Sequence, residues 1–102
     1  MAMHMAGSPI AALASVHCAV ATQNFLVLEN HSVDIPHWSD LIEGLPKPLL
    51  KDGYIEVPET PGLGFSDISL EAMKEFSDPR DPGVFESTEA WDREKSHDRL
   101  WS

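Results

Sequence analysis

Hydrophobic and polar positions change rhythm along the chain, and each change predicts an element. Residues 1–3 are a short apolar stub that ends at His4. A polar loop follows, and Ser8-Pro9 then opens an apolar, alanine-rich run that continues to about residue 22. Serine is a strong N-cap, and proline suits the first helical position, where no amide hydrogen is needed. The run is apolar on more than one side: Ile10, Leu13, Ala14, His17 and Ala21 make one face, and Ala12, Val16, Ala19 and Val20 another. It therefore predicts a helix buried on most sides. After a Gln23-Asn24 turn, Phe25-Leu26-Val27-Leu28 shows no polar alternation, the mark of a strand covered on both faces. Strand end, helix and strand make a βαβ crossover. His4 and Glu29 then stand at the carboxyl ends of neighbouring parallel strands about 4.8 Å apart.

Beyond Glu29 the pattern is punctuated more often. Residues 30–34 are a polar loop, residues 36–42 predict a short helix stopped at Gly44, and Pro46 and Pro48 force extended chain. Leu49-Leu50, Lys51-Asp52-Gly53 and Tyr54-Ile55-Glu56-Val57 predict a β-hairpin, because Asp-Gly favours the tight turn that matches strand twist. Residues 58–64 are a loop rich in glycine and proline, and Ser66 or Ser69 caps a short helix ending near Phe76. Periodicity fades from Ser77 onward. The last stretch, from Trp91 to Trp101, mixes charges of both signs with two indoles, which predicts a solvated face anchored by Trp91 and Trp101. The organisation expected is a βαβ unit with its following loop over residues 1–45 and a hairpin, short helix and acidic tail over 46–102.

Composition narrows the function. The 102 residues carry a formal net charge of −10, and the first basic residue is Lys47. Such a balance argues against nucleic acid or an anionic membrane surface as partner. The single cysteine, Cys18, has no internal disulfide partner, which suits a reducing cytoplasmic setting. Ala19-Val20-Ala21 has the shape of a signal-peptide cleavage site. The absence of lysine or arginine before it, and the interruptions at Ser15 and His17, argue against export. The apolar run also falls short of the roughly 20 residues of a membrane span.

A carboxylate directly after a buried strand is costly unless it has a purpose, which singles out Glu29. His4 mirrors it on the neighbouring strand end, and chemistry gathers at that edge of parallel α/β sheets. His17 reads as a packed helix histidine and Trp38 as a loop anchor. His31 and His37 flank Asp34, but their spacing across Pro36 suits no regular ligand pair, so no zinc site is expected there.

The run from His4 through Pro9-Ile10 and the alanine-rich helix to Asn24-Phe25-Leu26-Val27-Leu28-Glu29 resembles the seventh-to-eighth strand segment of the mandelate racemase/muconate lactonizing enzyme branch of the enolase superfamily. Asp52-Gly53-Tyr54-Ile55-Glu56-Val57-Pro58, followed by Pro61-Gly62-Leu63-Gly64, resembles the post-barrel segment of the same enzymes, especially galactonate-type sugar-acid dehydratases. The closing Trp91–Ser102 stretch is similar to the tail of some members. The resemblance implies an α/β fold: the C-terminal portion of a modified TIM barrel, incomplete as a domain and completed by the remainder of the barrel. It implies abstraction of the proton α to a sugar-acid carboxylate, with Mg²⁺ stabilising the enediolate in a parent enzyme that is a homo-oligomer. In that pattern His4 is the general base or acid, and Glu29 is the carboxyl group that hydrogen-bonds the substrate carboxylate. The metal carboxylates belong to earlier strands, so none is expected in this chain, which is expected to be inactive alone. The residues leave two other readings open: a racemase or cycloisomerase of the same branch, and a small acidic interaction module.

Overall fold

In the computed structural model, which describes residues 1–32 and 34–80, the first unit is a βαβ crossover. Strand β1 (Ala2–Met3), helix α1 (Pro9–Val20) and strand β2 (Val27–Leu28) follow in order, and the two strands pair in parallel with Ala2 opposite Val27 and Met3 opposite Leu28. The backbone ladder runs past the paired residues: the Glu29 amide donates to the Met3 carbonyl at 2.8 Å and the His31 amide to the Met5 carbonyl at 3.1 Å. Ser8 caps α1, its side chain accepting from the Ala11 amide, with Pro9 in the first turn. The helix stops two residues short of the predicted end, because Thr22 turns its hydroxyl onto the Cys18 carbonyl at 2.7 Å and the chain is already turning. Phe25 still belongs to that turn, its amide bonding the Thr22 carbonyl, so β2 is shorter than the apolar run.

Burial departs from the sequence expectation. Leu13 and Ala12 are fully enclosed and Val16 and Ala19 nearly so, but Val20 is 63% exposed, Leu26 79% and Val27 49%. Helix α1 packs against the strand pair, and Leu26 and Val27 stay exposed among the described residues, with the hairpin beside them. An apolar cleft of about 290 Å³ opens there, lined in part by Val20, Phe25, Leu26, Val27, Tyr54 and Val57.

The core gathers α1, the ends of the two parallel strands and the segments that follow them. Met5, Ala12, Leu13, Trp38, Ile42 and Leu49 form one cluster, with Leu28, Ile55, Leu63 and Phe65 packed against it. The short helix expected over 36–42 is a single 3-10 turn, Trp38–Leu41, that runs straight into strand β3 (Ile42–Glu43). That strand pairs antiparallel with β6 (Asp67–Ile68), after the β4 (Leu50–Lys51) and β5 (Tyr54–Ile55) hairpin. The β3–β6 pairing was not predicted. Two-residue strands carry almost no periodicity, and Gly44, in place of the helix stop expected, permits the close approach: a Cβ there would run into the Ser66 side chain and amide. The hairpin forms as expected, with Asp52 (φ 51°) and Gly53 (φ 84°) both in the left-handed region that its two-residue turn demands. Helix α2 (Leu70–Glu75) is capped by Ser69. His37 stacks on Phe76 with ring centroids 3.9 Å apart, joining the C-terminal end of α2 to the loop before the 3-10 turn. No helix among the described residues is long and apolar enough to cross a membrane. The predicted anchors Trp91 and Trp101 lie outside the described residues.

Candidate active site

The register of β1 and β2 determines what meets at their carboxyl ends. With Met3 opposite Leu28, the next residues are His4 and Glu29, which share one face because parallel neighbours point the same way. Met5, one step further, turns to the opposite face and is buried at 3% exposure. His4 Nδ1–H donates to Glu29 Oε2 at 2.6 Å. His31, two residues beyond Glu29 and so on its side of the extended chain, brings Nε2 to 3.0 Å from Oε1. The two imidazoles stand on either side of the carboxylate, ring centroids 5.1 Å apart and tilted by 53°. All three side chains are more than half exposed, so the cluster opens to whatever lies above the strand ends.

The loop carrying His4 is tied down from below. The Gly7 carbonyl accepts two hydrogen bonds, from Trp38 Nε1–H at 2.8 Å and from the Ser32 hydroxyl at 2.9 Å. Both donors are buried, and Asn30 Oδ1 holds the Ser32 amide at 2.8 Å. The loops after β1 and β2 are thus fastened to each other and to the core.

The hydrogen bond from His4, reinforced by that from His31, holds the Glu29 carboxyl below the usual carboxylate range. A lowered value in the folded chain means that the pairing is fully present above the ordinary glutamate pKa and is lost as pH falls through the lowered one. Site-resolved NMR of the Glu29 carboxyl carbon should therefore give a midpoint below that of an unstructured glutamate. His4→Asn should raise it, and His31→Asn should raise it less. A midpoint unmoved by either substitution would show that the contacts do not form in solution.

Both residues singled out from sequence, His4 and Glu29, are brought together. The spacing of His31 and His37 predicts no ligand pair, yet His31 belongs to the cluster, whereas His37 stacks on Phe76. The available signal was the two-residue spacing of Glu29 and His31, which puts both on one side of extended chain. It was obscured because the polar run after Glu29 reads as loop. His17 is half-buried in α1, and its Nε2 has no partner among the described residues.

Mg²⁺, which the family resemblance implies, takes a near-octahedral shell of oxygens. The described residues do not fit it. The one group of three or more potential ligands among them is His4, Glu29 and His31, offering two nitrogens and one carboxylate. Asp40 is paired with Lys47 at 3.1 Å, and Glu43 lies on β3, away from the strand ends that carry the cluster.

The fold and the cluster together make a parallel βαβ unit with a histidine–carboxylate pair at its strand ends. Residues 1–67 match the enolase C-terminal domain-like family, and the chain belongs to that family, within the mandelate racemase/muconate lactonizing enzyme branch of the enolase superfamily. It is 42% identical over 74 residues to a D-xylonate dehydratase of Haloferax volcanii, a match spanning 72% of this chain and 17% of that enzyme. Its fold is similar to that of a mandelate racemase/muconate lactonizing enzyme-like protein from Rubrobacter xylanophilus. That likeness has a TM-score of 0.70 and 38% identity, and covers 79% of this chain and 20% of the other. The chain thus spans about a fifth of the length of these relatives.

Proposed function

We propose that this chain supplies the proton-transfer edge of a sugar-acid dehydratase, built into an α/β barrel whose remaining strands cover β2. The observation that carries the reading is the 2.6 Å hydrogen bond between His4 Nδ1 and Glu29 Oε2 at the carboxyl ends of adjacent parallel strands. Likeness to a D-xylonate dehydratase supplies the substrate class, an aldonic acid. The exposed Leu26 and Val27 and the cleft beside them supply the surface that further barrel elements would bury.

With its Nδ1–H hydrogen-bonded to the Glu29 carboxylate, His4 keeps the Nε2 lone pair free. In the proposed reaction Nε2 takes the proton α to the substrate carboxylate as the Cα–H bond breaks and its electron pair enters an enediolate. The imidazolium so formed is stabilised by the adjacent Glu29 anion. Nε2–H then returns the proton to the β-hydroxyl as the Cβ–O bond breaks, releasing water and an enol that tautomerises to the 2-keto-3-deoxy acid. The family resemblance gives Glu29 a hydrogen bond to the substrate carboxylate; as the partner of His4 Nδ1–H, it also acts through the orientation and charge of His4.

A chimera tests the reading: the 74-residue segment of this chain that matches the Haloferax D-xylonate dehydratase replaces its counterpart in that enzyme. A folded chimera is expected to convert D-xylonate, or another member of an aldonic-acid panel, to a 2-keto-3-deoxy product. A folded chimera inert on the whole panel would overturn the proposal.

A further inference from the structure

We propose that His4, Glu29 and His31 form an open binding site for a borderline divalent transition-metal ion of the Zn²⁺ and Co²⁺ class. This goes beyond the dehydratase reading and competes with it, because a bound ion takes His4 Nδ1 and the Glu29 carboxylate out of the hydrogen bond on which that reading rests; metal titration and turnover of the chimera test the two separately.

Three observations lead there. The first is proximity: one potential ligand atom from each residue lies within 4.8 Å of the other two. A tetrahedral ion bonded at about 2.0–2.1 Å holds its ligands roughly 3.3 Å apart, so closure takes side-chain shifts of about an ångström. The second is rigidity of the frame. The ladder bonds from the Glu29 and His31 amides place the two residues side by side with β1, and the Gly7 carbonyl anchors the loop after His4. Both rings already aim a nitrogen at the same carboxylate, at 2.6 and 3.0 Å. The third is donor chemistry. Two imidazoles and one carboxylate make the ligand set of open, catalytic-type zinc sites, with the fourth position left to water. The same set disfavours Mg²⁺, which asks for oxygens. On binding, each neutral imidazole moves its proton by exchange with solvent to the nitrogen facing away from the ion, Nε2 of His4 and Nδ1 of His31, so that the other nitrogen presents a lone pair and the contacts to Glu29 give way to bonds to the ion.

The experiment uses the full 102-residue chain carrying Cys18→Ser, which removes the exposed thiol as a competing ligand. Co²⁺ is titrated and followed by its visible absorption, then displaced with Zn²⁺, and imidazole NMR resonances are recorded in parallel. The expected result is one saturable equivalent, displaced by Zn²⁺ but not by excess Mg²⁺, with shifts at His4 and His31 and none at His17 or His37. His31→Asn should weaken Zn²⁺ binding at least about tenfold, since even partners one shell further out are worth 10–100-fold, and His37→Asn should leave it unchanged. No saturable Co²⁺ binding, an equal loss in His31→Asn and His37→Asn, or displacement by equimolar Mg²⁺ would each overturn the assignment.

Discussion

Replacing His4 by asparagine in the chimeric dehydratase is expected to lower kcat by about 10²- to 10⁴-fold, the usual worth of a positioned general acid–base. That range corresponds to about 2.7–5.5 kcal/mol of barrier. The amide keeps the approximate shape of the ring and can still donate to Glu29 Oε2, so the strand ends keep their arrangement. It has no basic nitrogen, so neither the α-proton nor the proton for the departing hydroxyl can be carried. Because one imidazole serves both transfers, the loss should fall on kcat rather than on KM. Glu29→Gln should do less. A glutamine oxygen still accepts from His4 Nδ1–H at the distance now seen, 2.6 Å, but it no longer stabilises the imidazolium by charge. Steady-state kinetics across pH provide the measurement. If His4→Asn retains more than half of kcat, the proton is carried elsewhere and the assignment is wrong.

The second large effect expected is on stability, from Trp38→Ala. Trp38 is 5% exposed at the centre of the core cluster, between α1 and the strands that follow it. Truncating a buried tryptophan typically removes about 3–5 kcal/mol, through lost apolar burial and the cavity left behind. Its Nε1–H also supplies one of the two hydrogen bonds to the Gly7 carbonyl. Trp38→Phe separates the contributions. It keeps most of the ring and leaves Ser32 on the Gly7 carbonyl at 2.9 Å, so the lost hydrogen bond itself should amount to about 1 kcal/mol. Urea denaturation of the three proteins tests the ranking. Because Gly7 lies between His4 and α1, Trp38→Ala should also loosen the His4–Glu29 pair and raise the Glu29 titration midpoint. A Trp38→Ala chain within about 1 kcal/mol of the parent would show that the indole is not the anchor the structure makes it.

Local signals in the sequence carried the elements whose causes are local. Ser8-Pro9 starts α1 because a hydroxyl cap and a residue without an amide hydrogen suit the first turn in any context. Asp52-Gly53 closes the hairpin because few dipeptides accept two left-handed residues in succession. Ser69 caps α2 for the same kind of reason. The His4–Glu29 pairing was legible as well, since a βαβ unit aligns its strand ends and both residues stand one position past an apolar strand. Tertiary structure alone decided the rest. The antiparallel β3–β6 pair joins residues 42–43 to 67–68, and strands of two residues are too short to show a period. The exposure of Leu26 and Val27 depends on which elements stand beside them, and apolar character in a strand records only what it is suited to bury. His31 joins the site because the parallel ladder continues past Leu28 to the Met5 carbonyl, keeping extended a segment whose composition reads as loop. Caps and turns are written in neighbouring residues. Register, coverage and the third member of the cluster come from backbone hydrogen bonds between segments more than twenty residues apart, which no local pattern records.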